Sequence, residues 1–290
     1  MHLIILFMDE LNSYIDYVVN EKAALFIGAG LSRICGCKGW DDICTNLYKA
    51  CEDKLKVSES EFRLAKPDEK MTFVKKILDS DDGRPVYQHI LRNGLNPDPE
   101  LLVKKYIPLI KSIRTIHPHP KIVTTNPDTC LKLSGQYNDY FVFHKLCDLT
   151  SHNFDVQKAI FHIHGSREET DAEVWSIPQY QERYSDAKFC EFIKHIFTNY
   201  SVLFLGYGLR EAPILRIIST VVSKCPQHYA LLPSDSEVLP QKSIFQEIYK
   251  ISLIDYGNKS TLRNRLQEWI SLNFDTVLSG DETNADRSRI

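Results

Sequence analysis

Four short segments of the chain carry residues whose types and spacing could do chemistry, and each segment follows a short apolar run. Residues 28–33 are GAGLSR, residues 124–128 are TTNPD, residues 162–166 are HIHGS and residues 206–210 are GYGLR. Paired glycines admit a close backbone approach to a phosphate, an amide or carboxylate orients a polar substrate, and an imidazole serves as a general base. Because ligands of parallel sheets bind outside the carboxyl ends of strands, the segments are expected to share one site.

The first segment is half of a dinucleotide-binding fingerprint. Gly28 permits a tight turn, and Gly30 lets backbone amides approach a pyrophosphate at a helix start. Arg33 replaces the third glycine, however, and no acidic residue ends a second strand about twenty positions on, as in dehydrogenases. Arg33 could pair with phosphate or be an ordinary surface arginine, so a nucleotide site and a plain turn both remain open.

The other three segments allow a functional and a structural interpretation each. Asn126 precedes a proline, which disfavours helix and holds the side chain at a turn, so it binds a ligand or caps a helix. His162 and His164 share a strand face if the strand stays extended, but no carboxylate or cysteine stands at ligand spacing, so no metal is expected. His164 is the candidate base and His162 a core histidine. Gly206 and Gly208 admit a ligand or merely turn the chain.

The elements that must position these segments alternate between strands and helices. An apolar run, AALFI, precedes GAG, and helical spacing before it predicts a helix over 9–21. The pattern predicts an α/β fold, a Rossmann-like doubly wound and mostly parallel sheet, with residues 1–275 as one domain and 276–290 as a polar tail. Further strands are predicted at 121–125, 140–143, 159–164, 202–205, 229–232 and 251–254, and helices at 185–199, 212–223, 261–272 and through an insertion at about 40–118.

Composition narrows the function classes. The chain has 290 residues, with 35 Lys plus Arg against 38 Asp plus Glu, so neither nucleic acid nor a membrane is expected as a direct partner. Eight cysteines without a CxxC pair argue against a zinc ribbon and favour reduced thiols in the cytoplasm. The apolar start, MHLIILF, is too short for a signal peptide, and Met8 is a second candidate for the natural first residue.

Taken in order, GAGLS, TTNPD, HIHGS and FLGYG resemble the sirtuin superfamily, and specifically the sirtuin-like NADase branch of bacterial antiphage defence proteins. The resemblance spans about residues 20–255, and the long helical segment after GAGLS also looks like that branch. It implies NAD as the substrate, without a metal. By this resemblance His164 is the catalytic base, Asn126 holds the nicotinamide ribose or a water, and Asp128 holds the nicotinamide carboxamide. The resemblance also implies that Gly28, Ala29, Gly30, Ser32 and Arg33 line the pyrophosphate loop, that Thr125 adjoins the site, and that Gly206, Tyr207 and Gly208 lie near the adenosine half.

The chain departs from the protein-deacetylase sirtuins in ways that favour water as the acceptor. Those enzymes continue after GAGLS with Gly-Ile-Pro-Asp-Phe-Arg, whereas this chain has CGCKGWDDI, and Thr125-Asn126 stands where they carry Gln-Asn. The expected function is an NAD+ glycohydrolase that releases nicotinamide and ADP-ribose. The resemblance implies an abortive-infection effector, controlled by homo-oligomer assembly or by a HerA-type ATPase partner. A non-catalytic NAD- or ADP-ribose-binding regulatory module is the main alternative, ahead of a protein deacylase or ADP-ribosyltransferase.

Overall fold

A seven-stranded, all-parallel sheet forms the centre of the molecule in the computed structural model, which describes residues 2–78, 83–168 and 173–268. This confirms the α/β, Rossmann-like fold class. The strands lie side by side in the order β3-β4-β2-β1-β5-β6-β7. Their bounds are β1 Ala23–Ile27, β2 Lys121–Thr124, β3 Phe141–Phe143, β4 Ala159–His162, β5 Ser201–Leu205, β6 His228–Leu232 and β7 Ile251–Asp255.

Helices cover both faces of the sheet. The first helix begins at His2, seven residues before the predicted start, and residues 262–268 are also helical. Within the described ranges, no helix has the length and apolarity needed to cross a membrane. The helices are α1 His2–Val19, α2 Ala29–Ser32, α3 Trp40–Cys51, α4 Glu59–Leu64, α5 Pro67–Leu78, α6 Arg84–Leu95, α7 Pro99–Leu101, α8 Ile107–Ile116, α9 Cys130–Leu133, α10 Ser151–Val156, α11 Ile177–Ser185, α12 Ala187–Asn199, α13 Ala212–Ser219 and α14 Lys242–Tyr249.

Alternate residues of the central strands pack into two separate hydrophobic cores, one on each face of the sheet. Leu25 and Ile27 of β1 point to the face covered by α1 and α8, whereas Ala24 and Phe26 point to the face covered by α10, α12 and α13. Every residue of β1 is buried, which explains why this strand is an unbroken apolar run. The sheet is therefore a rigid, two-sided support for the loops at its edge.

The predicted helical insertion divides between two cores. Helices α3 to α6 share a core of their own, which includes Ile43, Leu47, Val74 and Leu91 and is joined by Trp175 from the segment after β4. Leu109 of α8 instead packs with the sheet residues of the first core. Residues 40–95 thus form a helical unit beside the sheet, and α8 is part of the layer that covers it.

Three predicted elements are shorter than their sequence patterns indicate. The strand predicted at 159–164 stops at His162, because Gly165 turns the chain with φ +80° and donates its N–H to the carbonyl of His162. His164 therefore lies beyond the strand, and His162 and His164 do not share a strand face. The helix predicted at 185–199 is broken at Asp186, whose carboxylate caps α12 by accepting from the amide of Phe189. The helix predicted at 212–223 ends at Ser219. The polar tail at 276–290 lies outside the described residues.

Candidate functional site

The four predicted segments follow four neighbouring strands of the sheet, β4, β2, β1 and β5. The last residues of these strands form one register row, in which Ile27 pairs with both Thr124 and Leu205 and Thr124 pairs with His162. Because all four strands are parallel, the segments leave the sheet side by side at its carboxyl edge. The fold thus brings the sequence-predicted segments together.

The loops after β1 and β5 pack directly against each other through their glycines. The amide of Gly28 donates to the carbonyl of Leu205 at 2.9 Å, and the amide of Gly30 donates to the carbonyl of Gly206 at 2.8 Å. A Cβ atom on Gly28 or Gly30 would lie 2.6 or 2.7 Å from the carbonyl oxygen of Gly206. Close backbone packing therefore requires these glycines, and their two amides are already engaged. Ala29 is exposed between them.

Asn126 is held by hydrogen bonds to three neighbouring elements. Its amide N–H donates to Oγ1 of Thr124 at 3.0 Å, its Nδ2 donates to Oγ of Ser32 at 3.0 Å, and its carbonyl accepts from Nδ1 of His162 at 2.7 Å. The side chain is 5% exposed, and its Oδ1 has no hydrogen-bond partner among the described residues. A buried, unpaired acceptor costs free energy, so this oxygen is a position where a ligand hydroxyl or a water can bind.

Asp128 lies two residues further along the same loop and is also buried. Its Oδ1 accepts from the amide of Cys130 at 2.9 Å, at the start of α9. Burial raises the pKa of Asp128, while the Ser32 hydroxyl and the Cys130 thiol beside it oppose that shift. Thr125 stands half-buried in the same loop. Asn126 and Asp128 are therefore both tied to Ser32 of the first segment.

His164 lies in a cluster of polar side chains at the end of β4. Its ring is 4% exposed, and its Nε2 is 2.8 Å from the hydroxyl of Tyr184 and 3.9 Å from Oε2 of Glu211. Tyr180 contacts the imidazole edge-on, with ring centroids 5.1 Å apart. Burial and, to a smaller extent, the nearby charge of Arg183 lower the pKa of His164 to about 3. The imidazole is thus neutral at physiological pH, although this pKa is below the near-neutral range that best suits a general base.

Glu211 is a member of this cluster that sequence reasoning missed. It precedes α13 directly, and burial raises the pKa of its carboxyl to about 7. Its Oε2 is buried, and the buried hydroxyl of Tyr207 beside it opposes the rise in pKa. The sequence prediction assigns no role to this residue. The signal that could have found Glu211 is a carboxyl one residue further, at the same strand end.

The remaining predicted residues of the first and fourth segments are placed less centrally. The Tyr207 ring packs in the core, with centroids 4.7 Å from Phe26 and 5.6 Å from Phe204, so only its hydroxyl reaches the polar cluster. Arg33 and Gly208 are exposed. Their predicted contacts with the pyrophosphate and the adenosine half stay predictions.

A cleft of about 390 Å³ lies at the opposite, amino-terminal edge of the sheet. Lys22, Lys121 and Asp155 line it together with His195 and Tyr200. Its polar groups are paired with one another, since Asp155 Oδ1 lies 2.8 Å from Nε2 of His195 and 2.6 Å from the Tyr200 hydroxyl. The volume of this cleft therefore does not identify the functional site. The residues at the carboxyl ends of the strands identify it instead.

Comparison with known proteins bears on the part of the chain that holds three of the four segments. No curated protein matches the chain. The family model described as SIR2-like domain matches residues 120–254, which include TTNPD, HIHGS and FLGYG. GAGLSR precedes the matched range. The match agrees with the sirtuin-like resemblance, and residues 120–254 of this chain are similar to a SIR2-like domain by that comparison.

Proposed function

We propose that the protein hydrolyses the bond between nicotinamide and ribose in NAD+, releasing nicotinamide and ADP-ribose. The observation that carries this proposal is the buried amide oxygen of Asn126, which has no hydrogen-bond partner among the described residues and lies at the same edge of the sheet as the neutral imidazole of His164. Thr124 and His162 pair in register, so Asn126 and His164 each stand two residues beyond a matched position. The SIR2-like domain match supports NAD as the substrate class.

The chemistry requires few groups, and this site offers them. Water forms a bond to C1′ of the ribose while the bond from C1′ to the nicotinamide nitrogen breaks. The electron pair of the broken bond stays on that nitrogen and neutralises the pyridinium ring. Asn126 Oδ1 accepts a hydrogen bond from a ribose hydroxyl or from the attacking water. His164 takes the proton that the water loses, and Tyr184 and Glu211 around its Nε2 orient the ring. The Glu211 carboxylate also favours positive charge that develops on the ribose.

The buried position of His164 supports an enzyme that is held inactive until it is triggered. The ring is 4% exposed, and its Nε2 already contacts Tyr184, so a substrate reaches it only after local rearrangement. An unregulated NAD-consuming enzyme would deplete its own cell. We therefore propose control by homo-oligomer assembly or by a HerA-type ATPase, in a cytoplasmic effector of antiphage defence, as the resemblance implies.

The decisive experiment measures nicotinamide and ADP-ribose released from NAD+ by the purified full chain, with and without a HerA-type ATPase. Asn126→Ala and His164→Ala are expected to lower the rate by about 100-fold or more, the scale of positioned acid–base catalysis. His195→Ala and Asn199→Ala are matched controls at the opposite edge of the sheet, and both should keep the wild-type rate.

Equal NAD+ loss in the wild type and in both site variants would show that another protein or another site is responsible. Tight NAD+ binding without turnover, in the presence of the ATPase, would favour the non-catalytic binding module instead. Release of nicotinamide only when an acetylated peptide or a protein acceptor is added would favour deacylation or ADP-ribosyl transfer.

A further inference from the structure

Three cysteines from two distant parts of the chain meet behind the predicted NAD loops. Cys35 ends the short turn of helix that follows α2, Cys37 lies two residues later, and Cys130 is the first residue of α9. The Sγ of Cys130 is 3.4 Å from the Sγ of both Cys35 and Cys37, and all three sulfurs lie within 4.8 Å of one another. All three residues are buried.

We propose that Cys35, Cys37 and Cys130 form a site for a thiophilic divalent cation, Zn²⁺. Sulfur ligands on a tetrahedral zinc ion stand about 3.8 Å apart, because each Zn–S bond is about 2.3 Å long. The two separations from Cys130 are both 3.4 Å, close to that value, and the third lies within 4.8 Å, so the three sulfurs can converge on one ion. A disulfide would draw two sulfurs to about 2.0 Å and leave the third unpaired.

The surroundings supply a carboxylate and a compensating charge. The carboxyl of Asp128 lies in contact with the Cys130 thiol, but its oxygens do not lie within 4.8 Å of all three sulfurs, so water is the expected fourth ligand. Arg167 donates to the carbonyl of Leu95 at 3.4 Å, and the Cys37 thiol contacts the same carbonyl at 3.4 Å. The guanidinium therefore lies where it balances part of the negative charge that three thiolates and a carboxylate bring to the ion.

The other cysteines show that this convergence is specific to the cluster. Each remaining cysteine makes its thiol contact with a nearby backbone carbonyl or carboxyl group and not with another cysteine. The contacts are Cys44 with Pro67, Cys51 with Leu47, Cys147 with Asp148, Cys190 with Tyr184 and Cys225 with Val222.

An ion at this position would fasten two loops of the predicted site together. Cys35 and Cys37 flank Gly36 just after Ser32, and Cys130 follows Asp128. The same two loops are already joined by the hydrogen bond from Asn126 to Ser32. The role of the ion is structural, since it fixes the position of Asn126 without touching the reacting atoms. The lack of CxxC pairs argues against a zinc ribbon, and the lack of nearby ligands argues against a metal at His162 and His164, whereas this site combines a CxC pair with one distant cysteine.

The test is metal binding by the full chain, measured without reference to NAD turnover. Protein purified under reducing conditions is analysed for zinc by elemental mass spectrometry, and the ion is then exchanged for Co²⁺. The wild type should hold one zinc ion per chain, and its cobalt form should show the strong visible and thiolate charge-transfer absorption of tetrahedral sulfur coordination. Cys130→Ser should weaken zinc binding by at least about tenfold, the scale on which zinc sites respond to altered ligation.

Cys225→Ser is the matched control, because Cys225 is also buried but lies outside the cluster. It should hold zinc as the wild type does. Equal zinc content in the wild type and Cys130→Ser, or no thiolate absorption from wild-type cobalt protein, overturns the proposal. A wild-type chain that contains a disulfide within the cluster and binds no cobalt overturns it as well. The cobalt spectrum needs only the wild type, so a variant that fails to fold leaves the test intact.

Discussion

Replacement of Gly206 by alanine should destabilise the protein strongly, whereas the same change at Gly208 should not. Gly206 has φ +65°, and a Cβ there would lie 2.4 Å from the backbone nitrogen of Leu31. An alanine in the left-handed region costs about 1–2 kcal/mol, and overpacking against backbone adds about 1–3 kcal/mol, which together give about 2–5 kcal/mol. A Cβ on Gly208 would meet nothing closer than 3.9 Å, and its φ is not positive. We expect Gly208→Ala to change the free energy of unfolding by less than about 0.5 kcal/mol.

The assay is urea unfolding of the wild type and the two variants at equal protein concentration, followed by circular dichroism. A lower midpoint with an unchanged slope for Gly206→Ala would report a loss of stability alone. The pair also separates packing from ligand contact, because Gly208→Ala should lose NAD+ affinity without losing stability if Gly208 lies near the adenosine half. A Gly206→Ala variant as stable as the wild type, or two variants that lose stability equally, would refute the packing argument.

Two further predictions concern the polar side chains of Tyr14 and Glu211. Tyr14→Phe should lower the free energy of unfolding by about 1–2 kcal/mol, because it removes the hydrogen bond from the Tyr14 hydroxyl to the carbonyl of Ala24. Tyr17→Phe is the control, since Tyr17 lies on the same helix but is partly exposed. It should lower the free energy of unfolding by less than about 0.5 kcal/mol in the same urea assay. Glu211→Gln should stabilise the protein increasingly as pH rises. Burial raises the pKa of Glu211 from 4.5 to about 7, so the folded chain retains a proton that the unfolded chain releases, and its stability falls between those pH values. The variant's advantage should grow from near zero at pH 4.5 to about 1–3 kcal/mol at pH 8, and parallel stability curves for the two proteins would contradict the raised pKa.

The sequence alone predicts the fold class and the meeting of the four segments. Short apolar runs such as residues 23–27 can be recognised because strands of a parallel sheet are buried on both faces. The carboxyl ends of parallel strands lie at one edge of the sheet. The residues that follow each run can therefore be assigned to that edge without knowing the strand order. Strand ends are less predictable. Ile163 and His164 are both buried, like the residues of β4 before them, so neither marks the end of the strand. The turn at Gly165 ends β4.

Contacts between residues far apart in the chain were beyond sequence reasoning. The sequence predicts a tight turn at Gly28 and either a ligand approach or a turn at Gly206, whereas the structure shows that each glycine is required because the other loop lies against it. Glu211 gains significance only from its distance to His164. The cysteine cluster joins positions 35 and 130, whose sequence separation carries no periodic signal. These features depend on contacts between segments that are far apart in the sequence, and the residue pattern within one segment does not predict such contacts.

The unpaired buried oxygen of Asn126 indicates which part of NAD we expect to bind deepest. Asn126 Oδ1 is a buried acceptor without a donor among the described residues. Each unpaired buried acceptor costs about 1–3 kcal/mol, and a ligand that donates to it recovers that energy. Ribose hydroxyls are donors, whereas ionised phosphates only accept. We therefore expect the buried end of the site to bind the sugar and the exposed loop that carries Ala29 and Arg33 to bind the pyrophosphate, where solvent and a guanidinium meet its charge.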